Sequence, residues 1–252
     1  MNQAESHRES CLLRARLAGF ARLLGRTEAI IREAFSQSAR PYVALSGGKD
    51  STVLLSLVRE ERPDTAAIFS DDEWNFPETM AYLDTVPNLT RAASRVRHAS
   101  WFTSWESGPV GLPADTIWLD AKQGDGIPSF ARGRGFDLAF IGLRKEEATY
   151  RRLHLCGRGT IFYCHTHQAI ECNPLADWKV EDIWAYLLSR EIRYNAAYDR
   201  MTGLNVPLPE QRVGPFAVEK AVGQGSLAII KRGWPELWNQ FTERYPEASN
   251  YA

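Results

Sequence analysis

Leu45-Ser46-Gly47-Gly48-Lys49-Asp50-Ser51 is the stretch around which the chain is organised. A β-prone run, Tyr42-Val43-Ala44-Leu45, leads into it, and an apolar run, Thr52-Val53-Leu54-Leu55-Ser56-Leu57-Val58, leads out. The pattern predicts strand, glycine loop, helix. Two adjacent glycines let the backbone turn sharply and present N–H groups with no side chain in the way. The positive end of the following helix points to the same place. Ser46 and Ser51 add hydroxyls, and Lys49 adds a full positive charge. Such an assembly suits a polyanion, most simply the phosphates of a nucleotide. A plain glycine turn is the competing explanation, and the register of Ser, Gly-Gly, Lys, Asp and Ser between a strand and a helix argues against it. The phosphate loop of kinases and GTPases, G-x-x-x-x-G-K-[ST], does not fit, because Val43 stands at its first glycine and Asp50 follows Lys49.

Composition sets the bounds. At 252 residues the chain is one large domain or one domain with an appendage. A formal net charge of −1 provides no global field for nucleic acid or an anionic membrane, so nucleic acid is a partner that charge does not indicate. Arginine greatly outnumbers lysine, which favours bidentate capture of phosphate or carboxylate where arginines converge. The polar start, Met1 to Ser10, reads as no secretory leader, and no apolar run approaches a membrane span. Cys11, Cys156, Cys164 and Cys172 form no disulfide pattern, so a reducing cytoplasm is expected.

Residues 5–38 show helical periodicity through Leu12, Leu13, Leu17, Phe20, Leu23 and Leu24, then through Ile30, Ile31 and Phe35. Two helices are expected, broken at Gly25-Arg26-Thr27 with Thr27 as cap; their apolar positions suit packing on the core or a homodimer. A second short strand is expected over Thr65 to Phe69, and a third over Leu89 to Ala93. The acidic cluster Asp71-Asp72-Glu73 follows the second strand. In an open parallel sheet the carboxyl ends of neighbouring strands border one crevice, so Asp71 is expected beside the glycine loop. Carboxylates beside phosphates are repulsive unless a cation lies between them or they reach past to donor groups such as a sugar; Mg²⁺ held at Asp71 is the economical candidate. Acids enriched at a helix N-terminus are the plain alternative. Trp101, Trp105 and Trp118, in an irregular segment, suit core filling better than base stacking.

Asp137 to Ile141 reads as a buried strand running into Gly142-Leu143-Arg144-Lys145-Glu146-Glu147-Ala148-Thr149-Tyr150-Arg151. At a strand end, Arg144 and Arg151 could grip phosphate or sulfate by paired hydrogen bonds; an Arg/Glu-laced helix face is the alternative. His154, Cys156, Cys164, His165, His167 and Cys172 follow, with no C-x-x-C spacing. Buried thiols and surface histidines are preferred there over zinc, a three-cysteine metal site or an iron–sulfur cluster. Thr160 to Cys164 and Gln168 to Cys172 are expected as short strands. The periodic Val180, Ile183, Trp184 and Leu187 form a packing face of a helix over 180–190.

Taken together, these stretches resemble a known family. Ser46 to Ser51 is similar to the S-G-G-K-D-S signature of the PP-loop, or N-type ATP pyrophosphatase, superfamily. Asp71, Phe76, Pro77, Glu78 and Thr79 resemble D-T-G-x-x-F-P-E-T of its PAPS reductase branch, with Asp72 and Glu73 departing from Thr and Gly. Gly142, Leu143, Arg144, Glu147 and Arg151 match G-[LI]-R-x-x-E-S-x-x-R, and Asn173, Pro174, Leu175, Asp177, Trp178, Asp182, Ile183 and Trp184 match N-P-[LI]-x-D-W-[TS]-x-x-D-[VI]-W. The resemblance covers about residues 40–190. It implies an α/β fold with an open, mainly parallel, twisted, Rossmann-like sheet. The expected divisions are a helical extension over 1–39, a nucleotide-binding domain over 40–190, and a partly irregular C-terminal extension over 191–252 packed on that domain. It further implies an adenine-nucleotide ligand, ATP or PAPS, bound by Ser46, Gly47, Gly48, Lys49, Asp50, Ser51, Asp71, Gly142, Arg144 and Arg151, with Lys49 and Asp71 serving catalysis.

One departure bears on the reaction. The family's reductases carry a nucleophilic cysteine in a C-terminal E-C-G-[LI]-H motif, and this sequence has no cysteine after Cys172; Arg212-Val213-Gly214 is followed by Pro215-Phe216. Three functions are therefore expected in order. The first is ATP cleavage between the α- and β-phosphates to adenylate an acceptor. The second is sulfonucleotide reduction or sulfur transfer, including nucleic-acid sulfur modification. The third is a nucleotide-binding subunit without chemistry of its own.

Overall fold

The computed structural model describes residues 3–71, 74–93, 96–97, 106–107, 126–214, 216–217 and 219–252. Asp72, Glu73, Trp101, Trp105, Trp118 and Pro215 lie outside the described residues. In chain order the helices are α1 (Gln3–Ala15), α2 (Ala18–Ser36), α3 (Lys49–Glu61), α4 (Pro77–Leu83), α5 (Ile127–Gly133), α6 (Thr149–Arg158), α7 (Val180–Ser189), α8 (Ala197–Gly203), α9 (Glu219–Val222), α10 (Ser226–Gly233) and α11 (Pro235–Arg244). The strands are β1 (Pro41–Ala44), β2 (Ala66–Asp71), β3 (Leu89–Ala93), β4 (Val96–Arg97), β5 (Glu106–Ser107), β6 (Leu138–Phe140), β7 (Ile161–Cys164) and β8 (Ala169–Cys172).

The expected α/β architecture is present. Six strands form one sheet in the order β3-β2-β1-β6-β8-β7, and β4 and β5 form a separate antiparallel pair. β1 pairs in parallel with β2 and β6, and β6 pairs in parallel with β8. Among the pairings described within the six-stranded sheet, β7–β8 is the antiparallel one. The order reverses between β1 and β6, which marks the topological switch point of the sheet.

The chain divides into two compact units, one drawn from Met1–Phe69, Pro87–Thr90 and Ile127–Tyr194, the other from Ser70–Val86, Arg91–Gly126 and Asn195–Ala252. In the first, Val43, Ile68, Leu138 and Phe140 have no exposed surface, as apolar runs buried on both faces of a parallel sheet require. α2 covers one face, with Phe35 edge-on to Phe140 at 5.1 Å between ring centroids. α3 meets α7 where the Tyr186 hydroxyl reaches Ser56 Oγ at 3.1 Å and donates to Glu60 at 2.8 Å. Arg14 of α1 donates to Asp182 of α7 at 2.7 Å.

The break between the first two helices is not at Gly25-Arg26-Thr27. It falls at Arg16-Leu17, and α2 runs unbroken through Thr27. Thr27 is buried rather than a cap. Its hydroxyl donates to Leu23 O at 3.0 Å and accepts from Trp178 Nε1 at 2.8 Å. Burial of Phe20, Ile31, Ala34 and Phe35 on one face outweighs the roughly 1 kcal/mol that Gly25 costs a helix interior.

The second unit is built on aromatic rings. Trp74 lies 5.0 Å from Phe241, Phe76 lies 4.5 Å from Trp234, and Phe216 lies 5.3 Å from Phe241. The Phe76-Pro77-Glu78-Thr79 motif anchors this cluster. Glu78 accepts from Trp234 Nε1 at 2.9 Å and Arg200 Nη1 at 3.0 Å, and Thr79 Oγ1 accepts from Asn195 Nδ2 at 2.7 Å.

Candidate functional site

β1 ends at Ala44 and α3 begins at Lys49, so Leu45 to Gly48 form the loop at the carboxyl end of β1. Leu45 is tied to the sheet by its N–H to Ile68 O at 2.9 Å. Gly47 takes a φ of +72°, a left-handed conformation that glycine alone adopts without cost. Gly48 sits just outside the first turn of α3 and its carbonyl accepts from Thr52 N–H at 2.9 Å.

The two serines hold this loop. Ser51 Oγ donates to Gly48 O at 3.0 Å and accepts from Ser46 N at 3.2 Å. Ser46 Oγ lies 3.0 Å from Ser51 Oγ and accepts from Gly48 N at 3.3 Å. With the Ser51 proton on Gly48, the Ser46 hydroxyl donates to Ser51, so both hydroxyl protons serve the loop's own shape in this arrangement.

Three cations and three acids converge around it. Lys49 is buried and its Nζ lies 3.3 Å from Asp50 Oδ2. Arg144 is 4 % exposed; its Nε donates to Asp50 Oδ1, and its Nη1 donates to Glu146 Oε2 at 2.6 Å. Glu147 Oε2 accepts from Arg144 N–H at 3.0 Å and from the Arg151 guanidinium. Burial works against the charge on Arg144, but Asp50, Glu147 and Glu146 outweigh it and raise its pKa further. The same opposition holds at half-buried Arg151, where Tyr150 and Glu147 prevail over burial. Both guanidiniums are fixed cations whose direction carboxylates set.

Gly142 brings the neighbouring strand into this group. A Cβ there would stand 3.3 Å from Asp50 C and 3.4 Å from Ser51 N, so the end of β6 touches the first turn of α3 backbone to backbone. Ser46 to Ser51, Gly142 and Arg144 are thus assembled at the switch point, with Arg151 linked to them through Glu147. Asp71 belongs to the second unit, at the end of β2, where its carboxylate accepts from Asn75 Nδ2 at 2.9 Å.

Sequence reasoning missed Glu147 and Asp50 as the groups that orient the arginines. Their i,i+3 and i,i+4 spacing from Arg144 and Arg151 could have found Glu147; nothing local pairs Asp50 with Arg144, 94 residues away. The cysteines lie apart from the loop's hydrogen bonds. Cys156 is exposed on α6, whereas Cys164 and Cys172 stand at opposite ends of the β7–β8 hairpin, opposite Ala169 and Ile161. Burial raises the pKa of Cys172 and Cys164, and burial together with Glu181 raises Cys11 to about 11.

A glycine loop opening at the switch point of an open parallel sheet makes this an α/β protein of the PP-loop type. Residues 40–214 match the phosphoadenosine phosphosulfate reductase domain, and the chain belongs to that family. A phosphoadenosine 5'-phosphosulfate reductase of Xanthomonas oryzae pv. oryzae (strain PXO99A) is 25% identical over 167 residues, covering 62% of this chain and 64% of that protein. Sulfate adenylyltransferase subunit 2 of Salmonella arizonae is 27% identical over 192 residues, covering 67% of this chain and 63% of that protein. The chain therefore spans a little under two thirds of the length of these relatives. In fold it resembles the phosphoadenylyl-sulfate reductase of Candida auris, with a TM-score of 0.52 at 18% identity over 75% of this chain and 88% of that one. It also resembles the FMN adenylyltransferase of Candida glabrata, with a TM-score of 0.52 at 16% identity over 77% of this chain and 67% of that one. No helix among the described residues is long and apolar enough to cross a membrane.

Proposed function

We propose that this chain binds ATP at Ser46 to Ser51 and transfers its adenylyl group to an acceptor, releasing pyrophosphate. One observation carries the proposal. The left-handed Gly47 and the N-terminus of α3 open at the β1/β6 switch point beside buried Lys49 and Arg144. A sulfate adenylyltransferase subunit among the relatives and an FMN adenylyltransferase among the fold neighbours are in keeping with it.

An acceptor oxyanion attacks the α-phosphorus, the bond to the β-bridging oxygen breaks, and its electron pair leaves with pyrophosphate. Loop N–H groups and Lys49 stabilise the charge that grows on the departing phosphates. Arg144 holds Asp50, and with it the first turn of α3, in place. The Asp71 carboxylate is an oxygen donor that would hold Mg²⁺, an ion that supplies positive charge toward phosphate.

Sulfonucleotide reduction or sulfur transfer is the second reading. It draws on the names of other relatives and on exposed Cys156, five residues along α6 from Arg151. Thiolate attack asks for a lowered pKa, and Cys11, Cys164 and Cys172 are all raised. The two readings separate in one experiment. With ATP and Mg²⁺ across a panel of acceptors, pyrophosphate is released and Lys49→Ala lowers the rate about 100-fold, while Cys156→Ser leaves it unchanged. Sulfite from PAPS and a thiol, lost in Cys156→Ser and with no pyrophosphate from ATP, overturns the proposal.

A further inference from the structure

The β7–β8 hairpin carries a group of side chains that the nucleotide site does not use. Cys164 ends β7 and is buried; Glu171 lies in β8 and is 6 % exposed; His167 lies in the turn between them. The antiparallel register explains why they meet. Cys164 stands opposite Ala169, and Glu171 is two residues beyond Ala169, so both side chains leave the same face of the hairpin. Gln168 takes a φ of +51°, which folds the turn back and brings His167 Nδ1 to 2.5 Å from Glu171 Oε1. One ligand atom from each of the three residues lies within 4.8 Å of the others.

We propose that Cys164, His167 and Glu171 bind a divalent cation of the zinc class, independently of the nucleotide chemistry. The donor set selects the metal. One thiolate sulfur, one imidazole nitrogen and one carboxylate oxygen suit zinc or cobalt and do not suit magnesium or calcium, which take oxygen alone. At bond lengths of about 2.0–2.3 Å, tetrahedral ligand atoms stand roughly 3.3–3.8 Å apart. The present spread therefore needs a closure of about 1 Å, within reach of a rotamer change in a partly exposed turn histidine. The cation sits where His167 Nδ1 and Glu171 Oε1 now meet, and it compensates a carboxylate held in a buried position. Three protein ligands leave a fourth position for water on the exposed side of His167.

The location separates this site from the phosphate loop. β8 runs parallel to β1, and the Cys164–His167 turn precedes β8, whereas the glycine loop follows β1. The Cys164–His167 turn and the glycine loop lie at opposite strand ends of the sheet. The cation thus clamps the hairpin and takes no part in nucleotide binding.

The test is a cobalt(II) titration of the full chain after chelation. One equivalent is expected to produce a near-ultraviolet thiolate-to-cobalt charge-transfer band. Cys164→Ser abolishes the band, and His167→Ala and Glu171→Gln weaken cobalt affinity at least 10-fold. Cys156→Ser leaves the titration unchanged, and removal of the zinc-class ion, with Mg²⁺ then restored, leaves nucleotide affinity unchanged. Because Cys164 is buried, its variant is paired with His167→Ala, whose turn position tolerates truncation, and circular dichroism checks both. Absence of the band in the unaltered chain overturns the proposal. So does a band of full intensity in folded Cys164→Ser, or undiminished affinity in folded His167→Ala.

Discussion

Asp50, Arg144 and Glu146 form a connected run of charge across two segments distant in sequence. Arg144 Nη1 donates to Glu146 Oε2, and the same oxygen accepts from Val180 N–H at 2.8 Å, capping the first turn of α7. A buried arginine that binds two carboxylates costs far more to remove than an exposed one, since the largely buried Asp50 then loses one of its two countercharges and keeps Lys49. Arg144→Ala is expected to lower unfolding free energy by about 3 kcal/mol in urea denaturation. Asp50→Asn in that background should recover part of the loss. Asp137 is a second anchor, accepting from the Ser38 hydroxyl and from Ala39 and Arg40 N–H at 3.0 Å each, at the entry to β1. Burial raises its pKa, but the Ser38, Arg40 and Ala39 hydrogen bonds outweigh burial and hold it below the usual carboxylate value. Its unfolded form therefore binds a proton more readily than its folded form. The stabilisation is complete above the ordinary carboxylate range and fades as pH falls through about 4 and below. Asp137→Asn should accordingly flatten the acid limb of stability measured against pH.

Among elements, the contact between β6 and α3 decides the geometry of the site. A Cβ at Gly142 would stand 3.3–3.4 Å from the backbone of Asp50 and Ser51, tight enough that this backbone would have to shift by a few tenths of an ångström. A methyl group there meets backbone, which cannot swing aside as a side chain can. Gly142→Ala is expected to cost about 1 kcal/mol and to weaken nucleotide affinity several-fold, measured by denaturation and by calorimetric titration. α2 shows the converse case, where packing overrides local signals. Gly25 and Thr27 look like a break, yet Thr27 lies between Leu23 O, Pro174 O and Trp178 Nε1 inside a continuous helix. Local propensity loses because the partners come from a segment about 150 residues away.

For the whole molecule, a ligand that binds only the folded chain raises its stability by mass action, about 2.7 kcal/mol at a hundredfold excess over Kd. ATP with Mg²⁺ should raise the thermal midpoint, and Lys49→Ala should remove most of that shift while leaving the unliganded midpoint within a few degrees. An equal ATP shift in Lys49→Ala would place the nucleotide away from the glycine loop. Each unit carries its own matched motifs. Ser46 to Ser51 and Gly142 to Arg151 belong to the first, where they build the candidate site. Phe76 to Thr79 belong to the second, where Glu78 and Thr79 hold α8 and the Trp234 region through hydrogen bonds.

Periodicity and punctuation were sufficient for the strand–loop–helix at residues 41–61, for the buried strand ending in Phe140, for the β7–β8 hairpin and for the packing face of α7. Each depends on neighbours within a few residues, so a linear pattern carries it. The family likeness of about residues 40–190 was legible for the same reason, because its motifs are short and contiguous. Tertiary structure alone decided that Arg144 answers Asp50, that Gly142 touches the first turn of α3, that Thr27 continues a helix, and that Cys164, His167 and Glu171 face one another. These depend on strand register and on side chains brought together across long loops, where burial and charge compensation outweigh anything encoded locally.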